Sequence, residues 1–243
     1  MKKIKVGIIY PELLGTYGDR GNALAFAFRA SKRNLETEIV EISPNDHIPT
    51  GLDIYFLGGG EDKAQTLATE LLRKQMSALE EITSTSLLIG ICAGFQILGS
   101  QFPISENEVY DGLDLIDVTT KFGKPRIIGE LVIESNIPDV GLITGFENHG
   151  GRTSLIDSSK ALGKVINGQG NGVSENDINS DGYMSENILC TYAHGPLLAR
   201  NPSLCDWLLS RTLGIEMEEL SKIEGDFSET LHSERLRNVT KTS

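Results

Sequence analysis

The sequence of 243 residues has few cysteines and no long apolar run. Its three cysteines, Cys92, Cys190 and Cys205, are odd in number and scattered, and no C-x-x-C pair occurs, which argues against a disulfide framework or a zinc site. The longest apolar stretches, such as residues 86–91, have the length of a strand, so no transmembrane helix is predicted. The lysine-led N-terminus has too short an apolar stretch for a signal peptide, because it runs into Pro11. We therefore expect a cytoplasmic protein that does not insert into a membrane.

Positive charge is also scarce. Lys and Arg number 22 against 34 Asp and Glu, so the formal net charge is −12. An acidic surface repels phosphate backbones and anionic lipid, which makes nucleic acid and membrane surfaces poor partners. No G-x-x-x-x-G-K-[ST] loop occurs, and the spacing of Gly15, Gly18 and Gly21 is not the dinucleotide fingerprint. A nucleotide-activating step would therefore need a separate partner.

Strand and helix patterns alternate over the first hundred residues. Short apolar runs predict buried strands, and apolar residues at helical spacing predict helices between them. This alternation predicts an α/β fold with a doubly wound, mainly parallel sheet flanked by helices. The predicted strands of this sheet are residues 3–10, 37–42, 52–57, 86–91 and 187–193, and the predicted helices are 22–32, 63–82, a helix from 94 and 202–213.

The middle of the chain and its end have a different character. Residues 115–120, 126–134, 141–146 and 164–167 predict shorter strands. Residues 169–187 are rich in Gly, Asn, Ser and acidic residues and predict an exposed loop or hairpin tip. We expect one domain over residues 1–213 and a C-terminal extension over 214–243 that is helical or partly disordered.

One cysteine lies in the pattern of a nucleophile elbow. Residues 90–94 read G-I-C-A-G between a predicted strand and a predicted helix. Glycines two before and two after Cys92 permit the strained turn that projects a nucleophile from a strand end. The helix N-terminus would favour the thiolate, and the N–H of Ala93 could donate to an oxyanion. A second donor is expected from the G-G-G loop at 58–60, at Gly59 or Gly60. The alternative is an inert cysteine packed at a strand end, as we expect for Cys190 and Cys205.

A histidine at the end of a late strand is the predicted base. His194 follows the predicted strand 187–193, which places it at the same sheet edge as Cys92. The alternative is a histidine that caps the following G-P turn. His47 and His232 are expected at the surface. His149 lies in a polar segment and either lines the site or holds a turn.

Together these motifs resemble the class I (triad) glutamine amidotransferases, in particular their cobyric-acid-synthase-like branch. The resemblance rests on G-G-G at 58–60, I-C-A-G-F-Q at 91–96 and the late His194. Within the branch, the segments Y-G-D-R-G-N at 17–22, F-E-N-H-G-G-R-T at 146–153 and Y-A-H-G-P at 192–196 resemble glutaminase subunits of lipid II isoglutaminyl synthases. The resemblance covers roughly residues 3–212 and keeps the motifs in order.

The resemblance implies a glutaminase subunit without a metal or cofactor of its own. It would hydrolyse L-glutamine and pass ammonia to a Mur-ligase-like synthetase in a heterodimer. That partner would use ATP and Mg to amidate the α-carboxylate of D-glutamate in lipid II. The resemblance assigns Cys92 as nucleophile, His194 as base and Arg126 as the residue that binds the α-carboxylate of glutamine, and it places Gln96 in the substrate pocket.

The sequence departs from the class pattern at one position. Class I enzymes carry His-Pro-Glu, whose glutamate orients the histidine, whereas residues 194–197 read H-G-P-L. Either Cys92 and His194 work as a catalytic dyad, or an acidic residue from another part of the chain orients His194. Asp19 is the predicted substitute, and the alternative for Asp19 is an N-cap of the first helix. Two other functions stay open, namely amidation of a corrinoid carboxylate and a non-catalytic regulatory subunit on this fold.

Overall fold

The computed structural model describes residues 3–16, 18–172 and 179–242. Tyr17 of the Y-G-D-R-G-N segment and residues 173–178 of the predicted loop lie outside the described residues. The first half contains β1 (Ile4–Ile9), α1 (Arg20–Ser31), β2 (Thr37–Ile42), β3 (Ile54–Leu57), α2 (Asp62–Arg73), α3 (Met76–Thr85), β4 (Leu87–Ile91), α4 (Ala93–Leu98), β5 (Gln101–Ser105) and β6 (Glu108–Asp111). The second half contains β7 (Val118–Ser135), β8 (Leu142–Leu155), β9 (Gly163–Asn167), β10 (Ser180–Asp181), β11 (Tyr183–Met184), β12 (Ile188–Thr191), α5 (Leu197–Arg200), α6 (Pro202–Leu213) and α7 (Ser228–Thr242).

A six-stranded sheet forms the centre, in the order β11-β12-β4-β3-β1-β2. All neighbouring pairs are parallel except β11 and β12. The strands β3, β4 and β12 are buried along their whole length, which explains their continuous apolar runs. Helix α1 packs with α5 and α6, and α2 packs with α3 and α4. The predicted α/β class and mainly parallel sheet are confirmed.

The predicted single helix over residues 63–82 is wrong, because α2 and α3 are separate helices. Between them Gln75 leaves helical geometry, with φ −121° and ψ 26°. Its side chain accepts a 2.8 Å hydrogen bond from the N–H of Ile48 and donates one of 3.0 Å to the hydroxyl of Tyr10. These hydrogen bonds connect the residue between α2 and α3 to the end of β1 and to the segment before β3.

A second, antiparallel sheet carries the middle of the chain, in the order β10-β9-β7-β8. The predicted strands 115–120 and 126–134 are parts of the single strand β7. A register shift between Phe122 and Ile127 absorbs the turn-like residues Gly123 and Pro125 within it. The two-stranded hairpin of β5 and β6 was not predicted, since its residues show no clear alternation.

The predicted exposed loop over 169–187 is in part buried where it is described. Gly170, Asn171 and Asp181 are buried. The carboxylate of Glu147 accepts 2.8 Å hydrogen bonds from the N–H groups of Gln169 and Gly170. These bonds satisfy backbone groups that would otherwise require water, which explains how a polar, glycine-rich segment packs inside.

The extension after Gly214 contains a short 3-10 turn and α7. The guanidinium of Arg29 binds Asp206 at 2.6 Å and Asp226 of the extension at 2.7 Å. Arg33 also binds Asp206, at 2.8 Å. The proposed boundary between 1–213 and 214–243 stays a prediction. Within the described residues, no helix has the length and apolarity needed to cross a membrane.

Candidate active site

Cys92 lies at the turn between β4 and α4. Its backbone has φ 51° and ψ −101°, which side chains rarely adopt, and its N–H donates to the carbonyl of Thr191 at 2.9 Å. A Cβ on Gly90 would lie 2.9 Å from the sulfur of Cys190, and one on Gly94 would lie 2.2 Å from the carbonyl oxygen of Leu57. The turn therefore requires glycine on both sides of the nucleophile. Helix α4 has only six residues, so the dipole at Cys92 is that of a short helix.

His194 lies beside Cys92 because β12 and β4 are parallel neighbours. Its N–H and carbonyl form a two-way backbone bridge with Phe146, at 2.9 and 3.1 Å. The side chain is buried. Burial alone would lower the pKa of His194, but interactions with Asp19 and Cys92 outweigh it and raise the pKa to about 10. At neutral pH His194 is therefore an imidazolium beside Cys92.

Asp19 lies behind His194, in the loop after β1. Its Oδ1 is 3.5 Å from Nδ1 of His194. Its Oδ2 accepts a 2.7 Å hydrogen bond from the N–H of Gly59. Asp19 occupies the N-cap position of α1, but its side chain makes no capping hydrogen bond. The structure thus brings the predicted third residue to the histidine, while its role in the reaction stays a prediction.

The glycine loop at 58–60 lies between Asp19 and the pocket. Because the N–H of Gly59 is bonded to Asp19, it is not the oxyanion donor that we considered from the sequence. Gly60 lines the pocket together with Ala93, the first residue of α4. Gly59 has a different function, since a Cβ there would lie 2.7 Å from Cε1 of His194. Only glycine allows the loop to approach the histidine this closely.

A pocket opens over the sulfur of Cys92. Its walls come from the first turn of α2, the elbow, β5, β7 and β8. Of the predicted site residues, the lining includes Gly60, Cys92, Ala93, Gln96 and Arg126. Asp19, Gly59 and His194 are not part of this lining. The lining residues that the sequence analysis did not name as site residues include Asp62, Gln65, Pro103, Ile104, Phe122 and Asn148.

Arg126 lies at the exposed side of this pocket. Its Nε donates to Oδ1 of Asn148 at 2.7 Å, and its Nη2 donates to the carbonyl of Asn148 at 3.1 Å. These bonds hold the guanidinium over the pocket without neutralising its charge. A bound carboxylate could be recognised there by the remaining N–H groups.

Gln96 lies deeper, in a chain of buried side-chain hydrogen bonds. Its Oε1 accepts from Nε2 of Gln65 at 3.0 Å, and its Nε2 donates to the hydroxyl of Tyr192 at 3.1 Å. That hydroxyl also bonds Thr153 at 2.6 Å. Sequence reasoning missed Gln65 and Tyr192. The only signal for Tyr192 was its position two residues before His194.

The sequence leaves open whether His149 lines the site or holds a turn. In the structure it lines the pocket and also packs within the pocket wall. Its ring stacks on Tyr192 with centroids 3.8 Å apart, and its Nδ1 donates to the carbonyl of Gly151 at 3.0 Å. Burial lowers the pKa of His149, more than the nearby Glu147 raises it, so the ring is neutral. Within the described residues, no group of three or more His, Cys, Asp or Glu side chains could hold a metal ion.

Comparison with known proteins decides the family. A model of the CobB/CobQ-like glutamine amidotransferase domain matches residues 5–202. This chain belongs to that family. The predicted enzyme class, a glutamine amidotransferase, is thereby confirmed.

Two relatives of this CobB/CobQ-like amidotransferase match over most of their length. One is the lipid II isoglutaminyl synthase (glutamine-hydrolyzing) subunit GatD of Staphylococcus aureus strain N315, 36% identical over 87% of this chain and 85% of the relative. The subunit of the same name from Streptococcus pneumoniae strain R6 is 33% identical over 87% of this chain and 81% of the relative. A crystal structure of a glutamine amidotransferase shares the fold, with a TM-score of 0.53, 16% identity and coverage of 85% of this chain and 98% of that one.

Proposed function

We propose that this chain is the glutaminase subunit of a lipid II isoglutaminyl synthase. The observation that carries the proposal is the alignment of Cys92, His194 and Asp19 at one sheet edge, beneath a pocket that also holds Arg126. The similarity to the two GatD subunits over 87% of this chain supports the choice of acceptor. The first residue to act is Cys92, which the buried His194 imidazolium keeps as a thiolate.

The proposed reaction has two half-steps. The Cys92 thiolate attacks the carboxamide carbon of L-glutamine, and the N–H groups of Ala93 and Gly60 bind the oxyanion. His194 gives its proton to the departing nitrogen, so ammonia leaves and a thioester remains. The neutral His194 then takes a proton from water, whose oxygen attacks the thioester. Glutamate leaves, and the proton on His194 restores the thiolate–imidazolium pair.

Substrate binding and the destination of ammonia complete the proposal. Arg126 binds the α-carboxylate of glutamine, and Gln96 forms the inner wall of the pocket. Ammonia passes to a Mur-ligase-like synthetase in a heterodimer in the cytoplasm. That partner uses ATP and Mg to convert the α-carboxylate of D-glutamate in lipid II to D-isoglutamine, a step in peptidoglycan synthesis.

The test is a glutaminase assay of the chain co-purified with its synthetase partner. Cys92→Ser should abolish release of ammonia and glutamate, while Cys205→Ser, at a buried cysteine away from the pocket, should keep the wild-type rate. Labelling of Cys92 by a glutamine-analogue electrophile provides a second readout. Full ammonia release by Cys92→Ser would refute the proposed nucleophile, and failure of both labelling and release in the wild type would favour a non-catalytic subunit.

A corrinoid acceptor is the second candidate. A cobyric acid synthase of Sphingopyxis alaskensis is 28% identical over 74% of this chain, but the match covers only 36% of that longer protein. We favour the lipid II acceptor, because the GatD relatives match 87% of this chain and more than four fifths of their own length. Identification of the co-purified synthetase as Mur-ligase-like or corrinoid-specific decides between the two.

A further inference from the structure

The first turn of α2 places a charged side chain, that of Asp62, at the pocket. The proposed reaction assigns no role to this side chain. Asp62 and Gln65 are three residues apart on the helix, and both line the pocket with Cys92 and Arg126. Gln65 is buried and bonded to Gln96, whereas Asp62 is exposed. The helix therefore presents a carboxylate at the open side of the pocket, where Arg126 presents a guanidinium.

Apart from the nucleophile Cys92, these two side chains are the charged groups of the pocket. Among the lining residues, all of which belong to the described part of the chain, Asp62 is the one acid and Arg126 the one permanent cation. His149 is neutral, because burial lowers its pKa. The pocket thus pairs one negative and one positive group, which is the complement of a zwitterion.

Free L-glutamine carries such a pair on its α-carbon. In the proposed function, Cys92 takes the carboxamide and Arg126 takes the α-carboxylate, which leaves the α-ammonium without a partner. An ammonium that leaves water requires hydrogen bonds and preferably a negative charge. An acidic side chain at the open side of the pocket would supply both.

Two other side-chain acceptors of the pocket are already used, and a third, Nε2 of His149, belongs to a neutral ring and makes no hydrogen bond with a described residue. Oε1 of Gln96 accepts from Gln65, and Oδ1 of Asn148 accepts from Arg126. Nδ1 of His149 donates to a backbone carbonyl. By contrast, no hydrogen bond or ion pair from another described residue engages the carboxylate of Asp62. Its charge is available to a ligand.

We propose that Asp62 binds the α-ammonium group of L-glutamine and so selects the free amino acid over amides that lack this group. The inference rests on the proposed glutaminase function. The competing explanation for Asp62 is structural, since an acid in the first turn of a helix stabilises the helix dipole.

The test compares two ligands that differ only in the α-amino group. KM for L-glutamine and the inhibition constant of 4-carbamoylbutanoate, which keeps the carboxamide and the carboxylate, are measured on the full chain with its co-purified partner. Asp62→Asn should raise KM for L-glutamine about tenfold, the loss of one charge-assisted hydrogen bond, with kcat largely kept. It should leave the inhibition constant of 4-carbamoylbutanoate unchanged.

The matched control is Glu61→Gln, which removes an exposed acid one residue earlier that does not line the pocket. It should change neither constant. Equal KM values for Asp62→Asn and Glu61→Gln would overturn the inference, as would an equal loss of affinity for both ligands. A wild-type complex that releases no ammonia and resists labelling at Cys92 would instead overturn the proposed function, and this inference with it.

Discussion

The carboxylate of Asp19 accepts a 2.7 Å hydrogen bond from the N–H of Gly59. Its other oxygen lies 3.5 Å from Nδ1 of His194. One carboxylate therefore holds the glycine loop and faces the histidine at the same time. Because residues 194–197 read H-G-P-L, with no acid after the histidine, this arrangement explains how a carboxylate from the opposite end of the chain can orient His194.

Replacing Asp19 by Asn should change the pH dependence of glutamine hydrolysis. The carboxylate helps to raise the pKa of His194 to about 10, so its loss lowers that pKa. The imidazolium that protonates ammonia then disappears at a lower pH, and the alkaline limb of the kcat profile shifts downward. At neutral pH we expect kcat to fall about 10- to 100-fold.

The measurement is a pH–rate profile of both proteins, with Asp117→Asn as the control because that acid pairs with Lys160 outside the pocket. An unshifted alkaline limb in Asp19→Asn would show that His194 does not depend on this carboxylate.

Replacing Gly59 by Ala should impair catalysis without unfolding the protein. The new Cβ would lie 2.7 Å from Cε1 of His194 and 3.2 Å from Oδ2 of Asp19, so the histidine must move. We expect kcat/KM to fall at least about tenfold, since a small displacement of a catalytic group is costly. Gly129→Ala is the control, because a Cβ there meets nothing within 4 Å. Circular dichroism should be unchanged in both, and wild-type activity of Gly59→Ala would contradict the prediction.

Replacing Arg126 by Lys should weaken substrate binding more than turnover. A lysine keeps the charge but cannot bond Asn148 and a carboxylate with one planar group. We expect KM for glutamine to rise about tenfold with kcat nearly unchanged. Steady-state kinetics check this, with Lys121→Ala as a control at an exposed cation outside the pocket. A loss confined to kcat would instead place Arg126 in the chemical step.

Replacing Asp226 by Asn should loosen the C-terminal extension. The carboxylate bonds Arg29 at 2.7 Å, and we expect the free energy of unfolding to fall by about 2 kcal/mol. Burial alone would raise the pKa of Asp226, but hydrogen bonds from Ser228 and Arg29 outweigh it and hold the pKa below 3.8. The stabilisation is therefore present above about pH 4 and is lost as the pH falls through the lowered pKa.

Denaturant unfolding followed by the fluorescence of Trp207, the single tryptophan, measures this effect at several pH values. Glu224→Gln serves as the control, since Glu224 is an exposed acid in the same segment. A stability difference between wild type and Asp226→Asn that persists far below pH 4 would contradict the assignment.

The amino-acid pattern was enough to predict the five parallel strands of the central sheet, the elbow at Cys92 and the strand-end position of His194. These features depend on local signals, namely apolar runs, helical spacing and glycines at a sharp turn. The sequence also pointed to Asp19, although only the order of strands in space brings the loop after β1 against the loop after β3 and so places Asp19 between Gly59 and His194.

Tertiary contacts decided the rest. Gln75 divides the predicted long helix because it bonds Tyr10 and Ile48, which are distant in sequence. The burial of Gly170 depends on Glu147, from β8. Likewise, Asp62 in the first turn of α2 and Arg126 in β7 line the same pocket only because the chain has folded. Local periodicity carries no information on such pairs, because their free energy arises only when distant segments have packed together.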